Sequence, residues 1–154
     1  MSDFGPLTKT GNLQPHLAAA ACYVPVMYVH LLASLVFLVT EPREHRFVRF
    51  HATQSMLVTA GWLGSTVVLL ILMVLAPFLG IFLGALLSAA SEELGALLMF
   101  VGILGEIFFG MLAILAAFAG PVVLFGCTLM AAMEKDIRIP VLAGLADRFA
   151  GPVP

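Results

Sequence analysis

The sequence predicts an all-α, polytopic transmembrane helical bundle. Hydrophobic residues make up 62% of the 154-residue chain and charged residues only 10%, with a mean hydropathy of +1.11. A soluble domain carries about 25% charged and about 45–50% apolar residues. The chain also contains several apolar runs longer than the roughly 18 residues that indicate a membrane helix. Three full spans with one or two short kinked or interfacial helices account for these runs, and a four-span arrangement is the alternative.

The first predicted span covers residues 17–40, after a polar N-terminal segment over residues 1–16. It contains no Lys, Arg, Asp or Glu, and it exceeds the about 20 residues that cross the hydrocarbon core. His30 lies near its middle. Pro25 is expected to kink the helix, because proline removes a helical hydrogen bond.

The next apolar run is too long for a single crossing. A straight helix of its roughly 35 residues would extend about 52 Å, against a hydrocarbon core of about 30 Å. Pro77, Gly80 and Gly84 predict a break. We therefore expect a second span over residues 53–75, and a short return or interfacial helix over residues 77–90.

The third predicted span covers residues 95–119 and contains a single charged residue, Glu106. Gly120 and Pro121 follow it, so the segment after them either extends the helix beyond a kink or returns into the membrane. These spans define a transmembrane domain over residues 17–133. An amphipathic tail over residues 134–154 is expected outside the bilayer.

Basic residues in short flanking segments predict the orientation of a membrane protein. They cluster in the 41–50 loop and in the tail, whereas the 91–93 turn has none. We expect the loop and the tail on the cytoplasmic side of an inner membrane, with Glu92 and Glu93 and the N-terminus on the other side. The basic residues of the loop and the tail are Arg43, Arg46, Arg49, Lys135, Arg138 and Arg148.

The polar stretch "EPREHRFVRFHATQS" (41–55) interrupts the apolar sequence. Its arginines and a phenylalanine ring suit the headgroup region. Gln54 and Ser55 would lie about one helical turn inside the membrane, where polar groups need partners on other helices. The stretch is either an anchor with polar packing residues or a patch that contacts a substrate or partner. The candidate binding or packing residues are Arg46, Arg49, Phe50, His51, Gln54 and Ser55.

The segment "RFHATQS" (49–55) and the later "PVLAGLA" (140–146) carry a resemblance. The chain resembles small membrane proteins that include the twenty-kilodalton subunit of the chloroplast inner-envelope protein-import translocon and its bacterial relatives. The resemblance covers roughly residues 17–60 and 130–148. It implies a small helical membrane protein, and it implies a role in protein translocation or membrane-complex assembly.

Two polar residues are expected near the bilayer midplane. Charged groups there are costly, usually face the bundle interior and have partners. We therefore expect Glu106 to meet His30, as an ion pair or as a neutral hydrogen bond. The alternative is that each residue faces a partner subunit or is neutralised separately.

Other functions lack a pattern in the sequence. The net charge of −2 and the absence of a basic face argue against a nucleic-acid partner. No catalytic fingerprint occurs, and Cys22 and Cys127 lack metal-site spacing, so we expect no enzyme activity, metal or cofactor. Gly80 and Gly84 form a helix close-packing motif, which leaves a homo-oligomer open. The expected partners are the lipid bilayer and other membrane subunits.

Three functions follow from these observations. The first is a non-catalytic, translocon-subunit-like membrane protein that acts in protein translocation or complex assembly. The second is an accessory structural subunit of a larger membrane complex. The third is a small ion or solute transporter that uses His30 and Glu106.

Overall fold

A computed structural model describes residues 7–26, 28–135 and 137–150. The chain is 80% helical, and the described residues contain no strand, so the predicted all-α class is confirmed. Residues 1–6 of the predicted N-terminal segment, and residues 136 and 151–154 of the predicted tail, lie outside the described ranges. The helices are α1 (Pro15–Ala21), α2 (Val29–Thr40), α3 (Arg46–Ser88), α4 (Glu92–Ala132) and α5 (Pro140–Ala150).

Two helices, α3 and α4, are long and apolar enough to cross a membrane by length and composition. The chain divides into two compact units. The first unit combines Met1–Gly61 with Gly120–Pro154, and the second unit is Trp62–Ala119. Small and aromatic side chains form the core of the first unit: Ala18, Cys22, Tyr23, Phe37, Val48, Ala52, Leu124 and Cys127.

The predicted continuous helix over residues 17–40 is wrong. The first helix, α1, ends at Ala21, and α2 begins only at Val29. Pro25 has no N–H to donate and disfavours a helical conformation in the residue before it. Tyr28 then adopts a left-handed backbone (φ 64°) at the start of α2. A proline that we expected to kink one helix therefore separates two short ones.

The stretch just before this segment is bonded to its far end. The N–H of Thr10 donates to the Glu41 carboxylate at 2.9 Å. The hydroxyls of Thr10 and Thr40 are 2.6 Å apart. Ser34 of α2 also donates to the carbonyl of Cys22, just after α1, at 3.4 Å. The segment therefore doubles back as a short helical hairpin of α1 and α2.

The predicted break at Pro77 is also wrong, because α3 continues through it to Ser88. Residues 77–90 are therefore mostly the C-terminal part of α3 rather than a separate return helix. Likewise, α4 continues through Pro121 to Ala132, which was one of the two expected outcomes. A proline inside a membrane helix is tolerated where neighbouring structure compensates for the lost hydrogen bond.

The second unit is an antiparallel pair of helical segments joined by a tight turn. Ser91 accepts a hydrogen bond from the Leu94 N–H (3.4 Å) at the start of α4. Glu92 and Glu93 occupy the first turn, where carboxylates interact favourably with the helix dipole. At the other end, the Trp62 indole N–H donates to the Ala116 carbonyl at 2.9 Å.

Glycines bring the two segments of the second unit into backbone contact. A Cβ built on Gly80 would lie 2.5 Å from the Cα of Gly102, and one built on Gly84 would lie 2.7 Å from the Gly95 carbonyl oxygen. A Cβ built on Gly105 would lie 2.9 Å from the Cβ of Ala76. Such close approach is typical of membrane helix pairs. Because α4 packs along α3 on both sides of Pro77, the helix has support where a hydrogen bond is missing.

Candidate functional site: a buried polar cluster and an exposed carboxylate

The start of α3 buries three polar side chains of the sequence motif. His51, Gln54 and Ser55 each have 0% of their surface exposed. The rings of Phe47 and Phe50 pack edge-on against the imidazole, with centroids 4.5 Å and 5.3 Å away. Polar groups buried this completely require hydrogen-bond partners. Together with Tyr23 they form what we call the polar cluster.

Gln54 binds a distant stretch of backbone with both ends of its amide. Its Nε2 donates to the Ile137 carbonyl at 3.2 Å, and its Oε1 accepts from the Ile139 N–H at 3.3 Å. The same Nε2 donates to the Tyr23 hydroxyl oxygen at 3.0 Å. The amide orientation is thus fixed by donors and acceptors on both sides. Gln54 holds the segment that leads into α5.

Tyr23 connects Gln54 to His51. Its hydroxyl oxygen lies 3.1 Å from Nδ1 of His51. Because this oxygen already accepts from Gln54, its own proton is available for the imidazole nitrogen. Hydrogen bonds in such a chain polarise one another in a low-dielectric interior. The interrupted N-terminal segment is thereby bonded to α3.

Ser55 satisfies a carbonyl that the helix break exposes. Its hydroxyl donates to the carbonyl of Cys22, which lies just after α1. Ser34 donates to the same carbonyl at 3.4 Å. An unpaired buried carbonyl would cost about 1–3 kcal/mol. Gln54 and Ser55 therefore lie together at the start of the apolar sequence because each bonds a separate backbone segment. Gln54 bonds Ile137 and Ile139, and Ser55 bonds Cys22.

The arginines of the motif have partners within the protein. Arg49 donates to the carbonyls of Leu38 (2.6 Å) and Glu41 (3.0 Å), which cap the end of α2. Arg46 forms an ion pair with Asp147 at 2.7 Å. The described contacts of both arginines are therefore with the protein, and contact with lipid phosphates stays a prediction.

Phe50 is also internal rather than interfacial. It is 4% exposed and packs against Ala146 and Ala150 of α5. The Arg138 guanidinium lies 5.1 Å above its ring. A recess of about 150 Å³ beside this ring is lined by Arg46, Phe47, Phe50, Arg138 and Asp147.

His30 does not have the partner we expected. It is 3% exposed, and its Nε2 lies 3.0 Å from the Thr59 hydroxyl. Thr59 donates its own proton to the Ser55 carbonyl, so His30 is the donor to Thr59. The predicted pairing of His30 with a carboxylate is replaced by this neutral hydrogen bond.

Glu106 is exposed on the second unit. Among the described residues its carboxylate has no hydrogen bond and no ion pair. A charged group at the centre of a membrane helix costs about 2.5–3.5 kcal/mol on insertion scales. The alternative to the pairing with His30, that Glu106 faces a partner subunit or is neutralised separately, stays a prediction.

The carboxylate of Glu41 is a site that the sequence reasoning missed. It is 2% exposed and accepts from the N–H groups of Lys9 (3.1 Å) and Thr10 (2.9 Å) and from His45 Nδ1 (2.6 Å). Burial alone would raise the pKa of Glu41, but these hydrogen bonds outweigh it and lower the pKa. The i, i+4 spacing of Glu41 and His45 was the only local signal.

The described residues offer no metal site, since no group of three or more His, Cys, Asp and Glu side chains is placed to hold an ion. The four side chains of the polar cluster are buried and bonded within the protein, an arrangement that can fix structure. Comparisons of the chain with protein-family models, curated proteins and solved structures find no match.

Proposed function

We propose that the chain is a non-catalytic, multi-pass protein of the cytoplasmic membrane that acts in protein translocation or membrane-complex assembly. The observation that carries this proposal is the apolar surface of the second unit. Phe118 is 71% exposed, Val74 65% and Phe78 63%. Contiguous apolar surface of this kind marks contact with a membrane or another protein. The "RFHATQS" resemblance supplies the translocon-like role.

The contacts of the first unit support a topology with two crossings, by α3 and α4. The Thr10–Glu41 hydrogen bond and the Arg46–Asp147 ion pair connect the N-terminal segment and the tail with the 41–50 loop. All three then share one side of the membrane, and the basic residues of the loop and the tail favour the cytoplasmic side for it. This proposal replaces the expectation that the N-terminus lies on the opposite side. The α1–α2 hairpin enters from that side without crossing. Its non-helical turn is compatible with membrane depth because Ser34 and Ser55 satisfy its backbone.

The closed polar cluster supports a role without catalysis. Gln54 and Ser55 are bonded to the protein's own backbone, and Tyr23 is bonded to His51, so the motif serves to shape the subunit. Partners would then meet the apolar helices of the second unit. We place the accessory-subunit function second, because the same surface would serve it. Transport through His30 and Glu106 has no observation in its favour, since His30 is bonded to Thr59.

Photocrosslinking in native membranes tests this proposal. A benzophenone amino acid replaces Phe78, which is 63% exposed, or Phe37, which is 4% exposed and serves as the buried control. We expect Phe78 adducts with translocating chains or with one membrane complex, and none at Phe37. Stoichiometric copurification with a single complex in mild detergent, without adducts to translocating chains, would select the accessory-subunit function. Adducts with lipid alone at Phe78 would contradict both.

A further inference from the structure

Glu106 is the only charged residue of the second unit apart from the two acids at its turn. It lies about four helical turns beyond Glu92, or about 21 Å along α4, and a similar distance before Ala119. In a bilayer crossed by this unit, Glu106 therefore lies well inside the hydrocarbon core of about 30 Å. Ionisable groups at such a depth usually have a partner, and none is present among the described residues.

The surroundings of Glu106 leave it open to a neighbour. Gly102 and Gly110 lie one helical turn before and after it on the same face of α4. Neither has a side chain that could cover the carboxylate. A Cβ built on Gly102 would lie 2.8 Å from the Cα of Gly80, so the helices are in contact beside Glu106. The carboxylate thus flanks the helix seam instead of lying within it.

The chemistry of the missing partner follows from the carboxylate. A carboxylate accepts hydrogen bonds and carries a negative charge when ionised. The group that complements Glu106 must therefore donate hydrogen bonds, and a positive charge would complement the carboxylate.

A second copy of this chain supplies no positive charge at this face. The sequence between Trp62 and Ala119 contains no Lys, Arg or His. A homotypic contact through this face would bring one Glu106 carboxyl against another. His30, the histidine of the apolar N-terminal segment, is buried and bonded to Thr59.

We propose that the Glu106 face of the second unit docks a transmembrane helix of another protein that carries a lysine or arginine side chain at mid-depth. This inference rests on the proposed function and specifies the chemistry of its partner. The basic side chain contacts the carboxylate, and the small residues around Glu106 allow the partner backbone to approach closely. Buried pairs of opposite charge are a recurrent means by which intramembrane ionisable groups are satisfied.

Energy transfer in vesicles tests the pairing. The full-length protein, with a donor dye at its N-terminus, is reconstituted in phosphatidylcholine vesicles. The probes are two acceptor-labelled Leu/Ala transmembrane peptides that differ only in a central Lys or Leu. We expect the Lys peptide to associate about tenfold more tightly than the Leu peptide, the scale of one intramembrane polar contact. Glu106→Gln should remove this preference, whereas Glu93→Gln at the turn should keep it.

Three results would overturn the proposal. Equal association of both peptides with the wild-type protein is the first. Retention of the Lys preference by Glu106→Gln, with an unchanged helical circular dichroism spectrum, is the second. Glu106-dependent energy transfer between two copies of the protein, without a Lys preference, would assign the face to self-association. The two experiments also separate this inference from the proposed function. Crosslinks from Phe78 to a membrane complex, together with no Lys preference, would refute this inference alone. A Lys preference, together with Phe78 adducts to lipid only, would refute the proposed function.

Discussion

Each of the two units of this protein is stabilised internally by a different kind of interaction. In the first unit, buried hydrogen bonds join side chains of α3 to distant backbone, as Gln54 does with Ile137 and Ile139. In the second unit, glycine-mediated backbone contact dominates, as between Gly80 and Gly102. The first unit consequently encloses the polar side chains of its cluster, whereas the second leaves one carboxylate, Glu106, exposed midway along α4.

This contrast indicates different structural roles for the two units. A polar network that is fully used inside the protein gives a unique fold to irregular backbone. An apolar helix pair packed through small residues leaves its outer faces free for lipid or partner helices. Substitutions in the two units should therefore have distinct signatures.

The largest effect is expected from Gln54→Leu. This change leaves the Ile137 carbonyl, the Ile139 N–H and the Tyr23 hydroxyl without their common partner. An unsatisfied buried group costs about 1–3 kcal/mol. Because the bonds to Ile137 and Ile139 are only part-buried, a loss near the lower end for three groups, about 3–5 kcal/mol, is expected. Thermal unfolding in detergent measures it. The matched control is Gln14→Leu, because Gln14 is exposed and caps nothing with its side chain; equal losses in both variants would contradict the role of Gln54.

A smaller effect is expected from Gly80→Ala. The added methyl group would meet the Gly102 backbone at 2.5 Å, so the helices must separate. Overpacking of this kind costs about 1–3 kcal/mol. Gly64→Ala in the same unit is the control, because a Cβ there has nothing within 4 Å. Helix propensity favours alanine by up to about 1 kcal/mol, so the control should unfold at an equal or higher temperature. A Gly80→Ala protein as stable as that control would refute the close approach.

The smallest effect, about 1 kcal/mol at neutral pH, is expected from Glu41→Gln. The folded pKa of Glu41 lies below its ordinary value. The charged form therefore stabilises the fold above the unfolded pKa of about 4.3, and this contribution disappears as the pH falls through the lower folded value. The stability difference between wild type and variant should shrink from pH 7 towards pH 3. The exposed Glu44→Gln serves as control, and a difference that persists at pH 3 would exclude the carboxylate contacts as its cause.

The sequence predicts the long helices better than the places where they are interrupted. Uninterrupted apolar runs identify the cores of α3 and α4, because length and composition are local properties. Pro25 and Pro77 each predict a disturbance of a helix, yet Pro25 separates two helices and Pro77 lies inside one. The difference comes from packing. Distant hydroxyls stabilise the open turn after α1, whereas α4 supports α3 on both sides of Pro77.

The candidate site was predictable to a similar extent. The motif residues were recognisable as polar groups that needed partners. The partners of Gln54 are backbone groups more than eighty positions away, and no local pattern encodes such a contact. Glu106 and His30 were paired on depth alone, and depth does not determine which way a side chain faces.

The central claim is that the motif stabilises the first unit independently of the second. Thiol labelling tests this claim most directly. The chain has two cysteines, Cys22 and Cys127, and both are buried in the core of the first unit. Their reaction with a membrane-permeant maleimide in micelles therefore reports local opening of that unit. We predict labelling at least about tenfold faster in Gln54→Leu and an unchanged rate in Gly80→Ala. A wild-type rate in Gln54→Leu would contradict the account.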